Sequence, residues 1–173
     1  MLTRRQWMGT ALGVTAAASV AARVPRKAGK VVITLAGGEQ LTLSSFTGKV
    51  VALEFLLTTC THCQRCSGVL QKMYEEFGPQ GFQPLGAAMN DDAAKLVPEF
   101  IRKLGLKYPV GATPRVKAYE FLGVNFFEPV LTPQLVFIDR GGMVRAQYGG
   151  ESDFFKDEEA NMRKAIEALL TAR

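Results

Sequence analysis

A chain of 173 residues is long enough for one domain with a real hydrophobic core, and 47% apolar against 21% charged residues is a globular balance that argues against a disordered or fibrous protein. The formal charge of +5 falls to about +3 once Arg4 and Arg5 of the leader are set aside, and the other basic residues are interspersed with acidic ones, as in Glu99-Phe100-Ile101-Arg102-Lys103. Such interspersion reads as solvated helix faces and argues against nucleic acid as a partner.

The chain opens on Arg4-Arg5 and an uncharged stretch from Gln6 to Ala22 that closes on small residues around Ser19-Val20-Ala21. Residues 1–22 are therefore expected to be a bacterial export signal, cleaved near Ala21 or Ala22, which would send the protein to the periplasm or otherwise out of the cytoplasm. Thr3-Arg4-Arg5-Gln6-Trp7-Met8 resembles a twin-arginine signal, although two arginines also suit the general secretory route. Left uncleaved, the leader would tether the domain to the membrane, with an apolar run shorter than the roughly 20 residues of a spanning helix. A basic linker (residues 23–30) and a single domain (residues 31–173) follow.

Val31–Leu35 and Gln40–Leu43 flank Gly37-Gly38 and predict a hairpin. Lys49–Leu57 is apolar except for Glu54, so it predicts a central strand buried on both faces. From Cys60 to Phe77 the period becomes helical, with Cys63, Cys66, Leu70, Met73 and Phe77 on one face and Gly78-Pro79 as the stop. Phe82–Met89 predicts a second buried strand, and Asn90-Asp91-Asp92 offer caps for a helix running to about Leu104. A short extended piece at Tyr108-Pro109-Val110 and a helix over Pro114–Leu122 come next. Leu135–Asp139 and Met143–Tyr148 then form a hairpin about Arg140-Gly141-Gly142, and a last helix covers Asp153–Leu170. The order β-β-β-α-β-α-α-β-β-α implies one mixed sheet flanked by helices, with a parallel strand–helix–strand unit at its centre.

All three cysteines, Cys60, Cys63 and Cys66, lie within seven residues, so they cannot staple distant segments; sulfur concentrated at one point suggests chemistry. Cys60 follows a buried strand and opens a helix, where unpaired N–H groups and the helix dipole favour a thiolate, the attacking species in disulfide exchange. Cys63 is one turn along the same helix, within reach to resolve a mixed disulfide formed by Cys60. His62, the only histidine, can add a charge or hydrogen bond that stabilises the Cys60 thiolate. Cys66 continues the apolar stripe and reads first as a core residue, with a third exchanging thiol as the functional alternative.

The strand leading into Cys60-Thr61-His62-Cys63, together with Leu131-Thr132-Pro133-Gln134 ahead of Leu135–Asp139, resembles the TlpA-like branch of the thioredoxin superfamily over about Val31–Leu170. The resemblance implies a thioredoxin-like α/β fold and thiol–disulfide exchange with protein thiols or disulfides, fed by an upstream electron donor or acceptor and needing no cofactor. It also implies that Pro133 is cis and faces the active disulfide, that the Thr132 backbone pairs with an extended substrate, and that Glu54, six residues before Cys60, relays protons for Cys63. A plainer reading places Glu54 at an edge or paired with a lysine. A histidine between the cysteines points to a disulfide donor, whereas TlpA-like proteins are often reductants. Two features depart from the family, Thr59 in place of a common Trp and Ser67-Gly68 in place of a proline-containing turn. The rival readings are a peroxiredoxin-like peroxidase, whose Thr-x-x-Cys pattern is broken by Leu57, and a non-catalytic or metal-binding module, which lacks a fourth cysteine.

Overall fold

The computed structural model describes residues 24–172; the expected export signal at residues 1–22 lies outside them. In chain order the elements are Arg26–Lys27 (β1), Val32–Thr34 (β2), Gln40–Thr42 (β3), Val50–Leu56 (β4), Thr61–Phe77 (α1), Phe82–Ala88 (β5), Ala93–Leu104 (α2), Val110–Ala112 (β6), Arg115–Leu122 (α3), Gln134–Ile138 (β7), Met143–Tyr148 (β8) and Glu158–Thr171 (α4). The strands form one mixed sheet in the order β1-β8-β7-β4-β5-β6-β2-β3.

Every residue of β4 is buried, because the strand runs parallel to β5 on one side and antiparallel to β7 on the other, with helices over both faces. Its side chains alternate. Val50, Ala52 and Leu56 pack with Cys63, Cys66, Leu70, Met73 and Phe77 of α1, Val97 and Phe100 of α2, and Met162 and Ile166 of α4. Val51, Leu53 and Phe55 pack on the opposite face with Ala118, Phe121 and Leu122 of α3 and with Val31 and Ile33. By the same alternation Glu54 belongs to the α1 side. The central strand therefore aims one carboxylate at the helix that carries the cysteines.

Two short strands extend the expected order. β1 arises in the segment read as linker and pairs antiparallel with β8, and β6 runs parallel to β5 and joins the β2–β3 hairpin through Thr34 and Ala112. Gly111 permits that joint, since a Cβ there would lie 2.5 Å from the Thr34 carbonyl oxygen. The last helix also starts later than its pattern suggests. Ser152 Oγ accepts from the Phe154 N–H and caps a 3-10 turn over Asp153–Asp157, so α4 proper begins at Glu158.

Candidate active site

The loop between β4 and α1 is held from two directions. Asn90 Oδ1 accepts from the Thr58 N–H at 3.2 Å, and Gln64 Nε2 donates to the Thr58 carbonyl at 3.0 Å. Asn90, read from sequence as a helix cap, therefore braces the active-site loop instead. With Thr58 fixed, the Cys60 N–H donates to Leu57 O at 3.0 Å and Cys60 takes the N-cap position of α1. Its Sγ accepts from the Cys63 N–H at 3.3 Å and lies 3.8 Å from the Thr132 carbonyl oxygen.

The Thr132–Pro133 peptide is cis. The loop that carries it is anchored at Leu131 O, which accepts from Gln134 Nε2 at 2.7 Å and from the Gly150 N–H at 3.2 Å. A Cβ on Gly150 would fall 2.6 Å from Thr132 O, so this close approach requires glycine. Cys60 and Cys63 from one segment and Thr132 and Pro133 from another are thus brought together, braced by Asn90 and Gly150.

Both cysteines of the pair are free thiols, in opposite environments. Burial alone would raise the Cys60 pKa, but the Cys63 thiol and N–H, the Thr132 side chain and the His62 N–H together hold it below the ordinary thiol value. Cys63 is fully buried, and burial first, then the charge of Glu54 and the contact with Cys60, push its thiol well above that value. The pair thus sets a thiol that ionises readily beside one held protonated.

Glu54 is completely buried, and Ser67 Oγ donates to its Oε2 at 2.7 Å while Oε1 has no hydrogen-bond partner among the described residues. Burial pushes its pKa from the ordinary 4.5 up to about 8; the Ser67 hydroxyl and the Cys66 thiol pull against that rise, and the charges of Glu158 and Cys60 add to it. The edge and lysine-paired alternatives for Glu54 do not describe this geometry. Cys66 is itself fully buried within the core cluster.

His62 differs from its expected role. Its ring stands edge-on to Phe155 at 4.7 Å between centroids, and its Nε2 is buried without a hydrogen-bond partner among the described residues. Burial and the nearby Arg65 lower its pKa, against the opposing charge of Glu158, so the neutral imidazole is favoured. The His62 contribution to the Cys60 thiolate comes through the backbone N–H. Among the described residues no three His, Cys, Asp or Glu side chains converge as a metal site.

Five residues that shape the site were not singled out as such from sequence: Gln64, Ser67, Asn90, Gly150 and Glu158. Ser67 carried a usable signal, because a hydroxyl on an apolar helix stripe and a carboxylate in an apolar strand each need a buried partner. Asn90, Gly150 and Glu158 meet the site only through tertiary packing.

The AhpC/TSA family model matches residues 22–147. The thiol-disulfide oxidoreductase ResA of Bacillus thuringiensis (strain Al Hakam) is 27% identical over 129 residues, covering 75% of this chain and 71% of ResA. A Chlorobium tepidum protein assigned as the thiol:disulfide interchange protein DsbE has a crystal structure that superposes with a TM-score of 0.70 at 25% identity, covering 84% of this chain and 96% of that one. A second crystal structure, of a thiol:disulfide interchange protein of the thioredoxin family from Chlorobium tepidum TLS, gives a TM-score of 0.70 at 21% identity over 87% of this chain and 99% of its own, which shows the shared fold. With a thioredoxin-like mixed sheet, a Cys-x-x-Cys helix start and a family match over most of its length, the chain belongs to the AhpC/TSA family.

Proposed function

We propose that the chain is a thiol–disulfide oxidoreductase that exchanges disulfides with exported protein substrates through Cys60 and Cys63. The observation that carries this reading is the asymmetry of the pair: a partly exposed Cys60 at a helix N-cap with a lowered pKa, beside a buried Cys63 with a raised one. In the reducing direction the Cys60 thiolate attacks a substrate disulfide, one substrate sulfur leaves as thiolate, and a mixed disulfide forms. Glu54 takes the proton of Cys63, whose sulfur attacks Cys60 Sγ and releases the second substrate thiolate. The substrate gains two electrons and the enzyme is left with a Cys60–Cys63 disulfide, which an upstream dithiol reduces. The position of the Thr132 carbonyl beside Cys60 supports pairing of this backbone with an extended substrate segment.

With the His62 ring against Phe155, no imidazolium stabilises the Cys60 thiolate, and this favours the reducing direction. The twin-arginine-like leader supports action outside the cytoplasm. Insulin reduction by the mature chain tests the assignment: Cys60→Ser is expected to abolish it, and full activity in that variant would overturn the reading.

A further inference from the structure

One turn beyond Cys63, α1 carries a thiol that the exchange reaction does not use, buried beside two carboxylates. Cys66 has no exposed surface. Its thiol neighbours both Glu54 and Glu158, the first residue of α4. The Glu158 side chain is 6% exposed and its Oε2 accepts from Arg65 Nε at 2.9 Å, while the Arg65 side chain is 60% exposed at the surface of α1. Glu54 and Glu158 each keep one buried oxygen, Oε1, without a hydrogen-bond partner among the described residues. A buried carboxylate left half-satisfied is costly, and two of them against one thiol, one beside the resolving cysteine, form a charge-coupled unit.

Around Glu54 stand Cys60, Cys63 and Cys66 from α1, Glu158 from α4, and Tyr108 from the segment before β6, whose hydroxyl donates to Ser67 O at 3.3 Å. The residues paired with Glu54 in the sheet, Gly86 on β5 and Leu135 on β7, carry no charge. Around Glu158 stand Cys66, His62 and Arg65, all on α1.

We propose that Glu158 is the second carboxylate of the exchange site: held by Arg65 and packed on Cys66, it sets how readily Glu54 takes the proton of Cys63. Glu158 touches neither substrate nor the reacting sulfurs and is a positioning residue. The inference rests on the exchange reading and on Glu54 as the base within it. Its physical content is a sign rule. The negative charge of Glu158 opposes ionisation of Glu54, and the positive charge of Arg65 offsets that opposition. Removing Glu158 therefore eases Glu54 ionisation, whereas removing Arg65 makes it harder. Loss of a merely structural ion pair would move both variants the same way.

The test uses the reduced mature chain in stopped flow with excess 5,5′-dithiobis(2-nitrobenzoate), which releases one thionitrobenzoate as Cys60 attacks and a second as Cys63 resolves. The rate of the second phase is followed from pH 6 to 9.5, with thermal melting to check each variant's fold. In the wild type this rate rises with pH as Glu54 ionises. In Glu158→Gln the midpoint is expected to fall by about half a unit to a unit, making resolution at pH 7 roughly two- to fivefold faster. In Arg65→Gln, an exposed substitution that should leave the fold intact, the midpoint is expected to rise and resolution at pH 7 to slow. Unmoved midpoints, or shifts of the same sign, overturn the role of Glu158. Glu54→Gln separates the two levels: it leaves only the rise from ionisation of the Cys63 thiol itself, so a limb that survives at the wild-type midpoint in that variant refutes Glu54 as base, whatever Glu158 does.

Discussion

Cys60 and Cys63 are three positions apart, and their protonation is pulled in opposite directions: hydrogen bonds from the Cys63 thiol, the helix N-terminus and the Thr132 side chain lower the Cys60 pKa, while burial and then the Glu54 charge raise that of Cys63. The thiolate preference of Cys60 rests on the Cys63 thiol and N–H, the Thr132 side chain and the His62 backbone N–H, none of which involves the imidazole. His62→Asn is therefore expected to leave the pH midpoint of Cys60 alkylation by iodoacetamide nearly unchanged, and a rise toward the ordinary thiol value would show that the imidazole contributes after all. At this scale the sequence was informative about the residues whose roles follow from spacing, namely the Cys60–Cys63 pair and the lone carboxylate in an apolar strand. It was uninformative about His62, because the orientation of that ring is set by Phe155, which reaches it only through folding of the last segment. Glu158 was hidden for the same reason: within its own helix it reads as an ordinary first-turn acid.

Elements were legible where they were long and periodic. The stripe Cys63, Cys66, Leu70, Met73, Phe77 marked the buried face of α1, and the runs 50–56 and 82–88 marked the two central strands. β1 was not legible as a strand, and β6 only as a short extended piece ending at Val110, since two or three residues carry no period. The loop before β7 shows the same limit. Thr132-Pro133 is visible in the sequence, but the Gly150 that lets its backbone lie close comes after β8. Gly150→Ala is expected to displace Thr132 O, costing about 1–3 kcal/mol by overpacking. It should also slow exchange with a protein substrate more than with a small disulfide that does not use the Thr132 backbone. Equal effects on both substrates, measured as kcat/KM, would remove the strand-pairing role of that loop.

Across the whole molecule, a charge-prone side chain at the centre of the core makes stability depend on pH. The Glu54 carboxyl binds its proton more tightly folded than unfolded, with a pKa raised from an ordinary 4.5 to about 8. The stabilisation from this protonation is complete below the unfolded value and is lost as pH climbs through the folded one, a difference of about 5 kcal/mol at most. Urea unfolding of reduced wild type and Glu54→Gln at pH 5 and 8.5 is expected to show the wild type losing several kcal/mol more than the variant; parallel losses would mean that Glu54 is solvated or paired in solution. Placing the carboxylate beneath the cysteines thus costs stability in the pH range where it can act as a base, and the apolar faces of β4, packed against α1 on one side and α3 on the other, offset that cost.

The most direct measurement is the thiol–disulfide equilibrium of the mature chain in glutathione or dithiothreitol redox buffers, with free thiols trapped and the disulfide mapped by peptide mass. A single reversible two-electron couple between Cys60 and Cys63 is expected, with Cys66 remaining a thiol and the couple surviving in Cys66→Ala. Its potential should lie nearer the roughly −270 mV of thioredoxin than the roughly −120 mV of a strong disulfide donor. Failure to form a Cys60–Cys63 disulfide, or a couple that requires Cys66, would contradict the assignment of this pair as the exchanging centre.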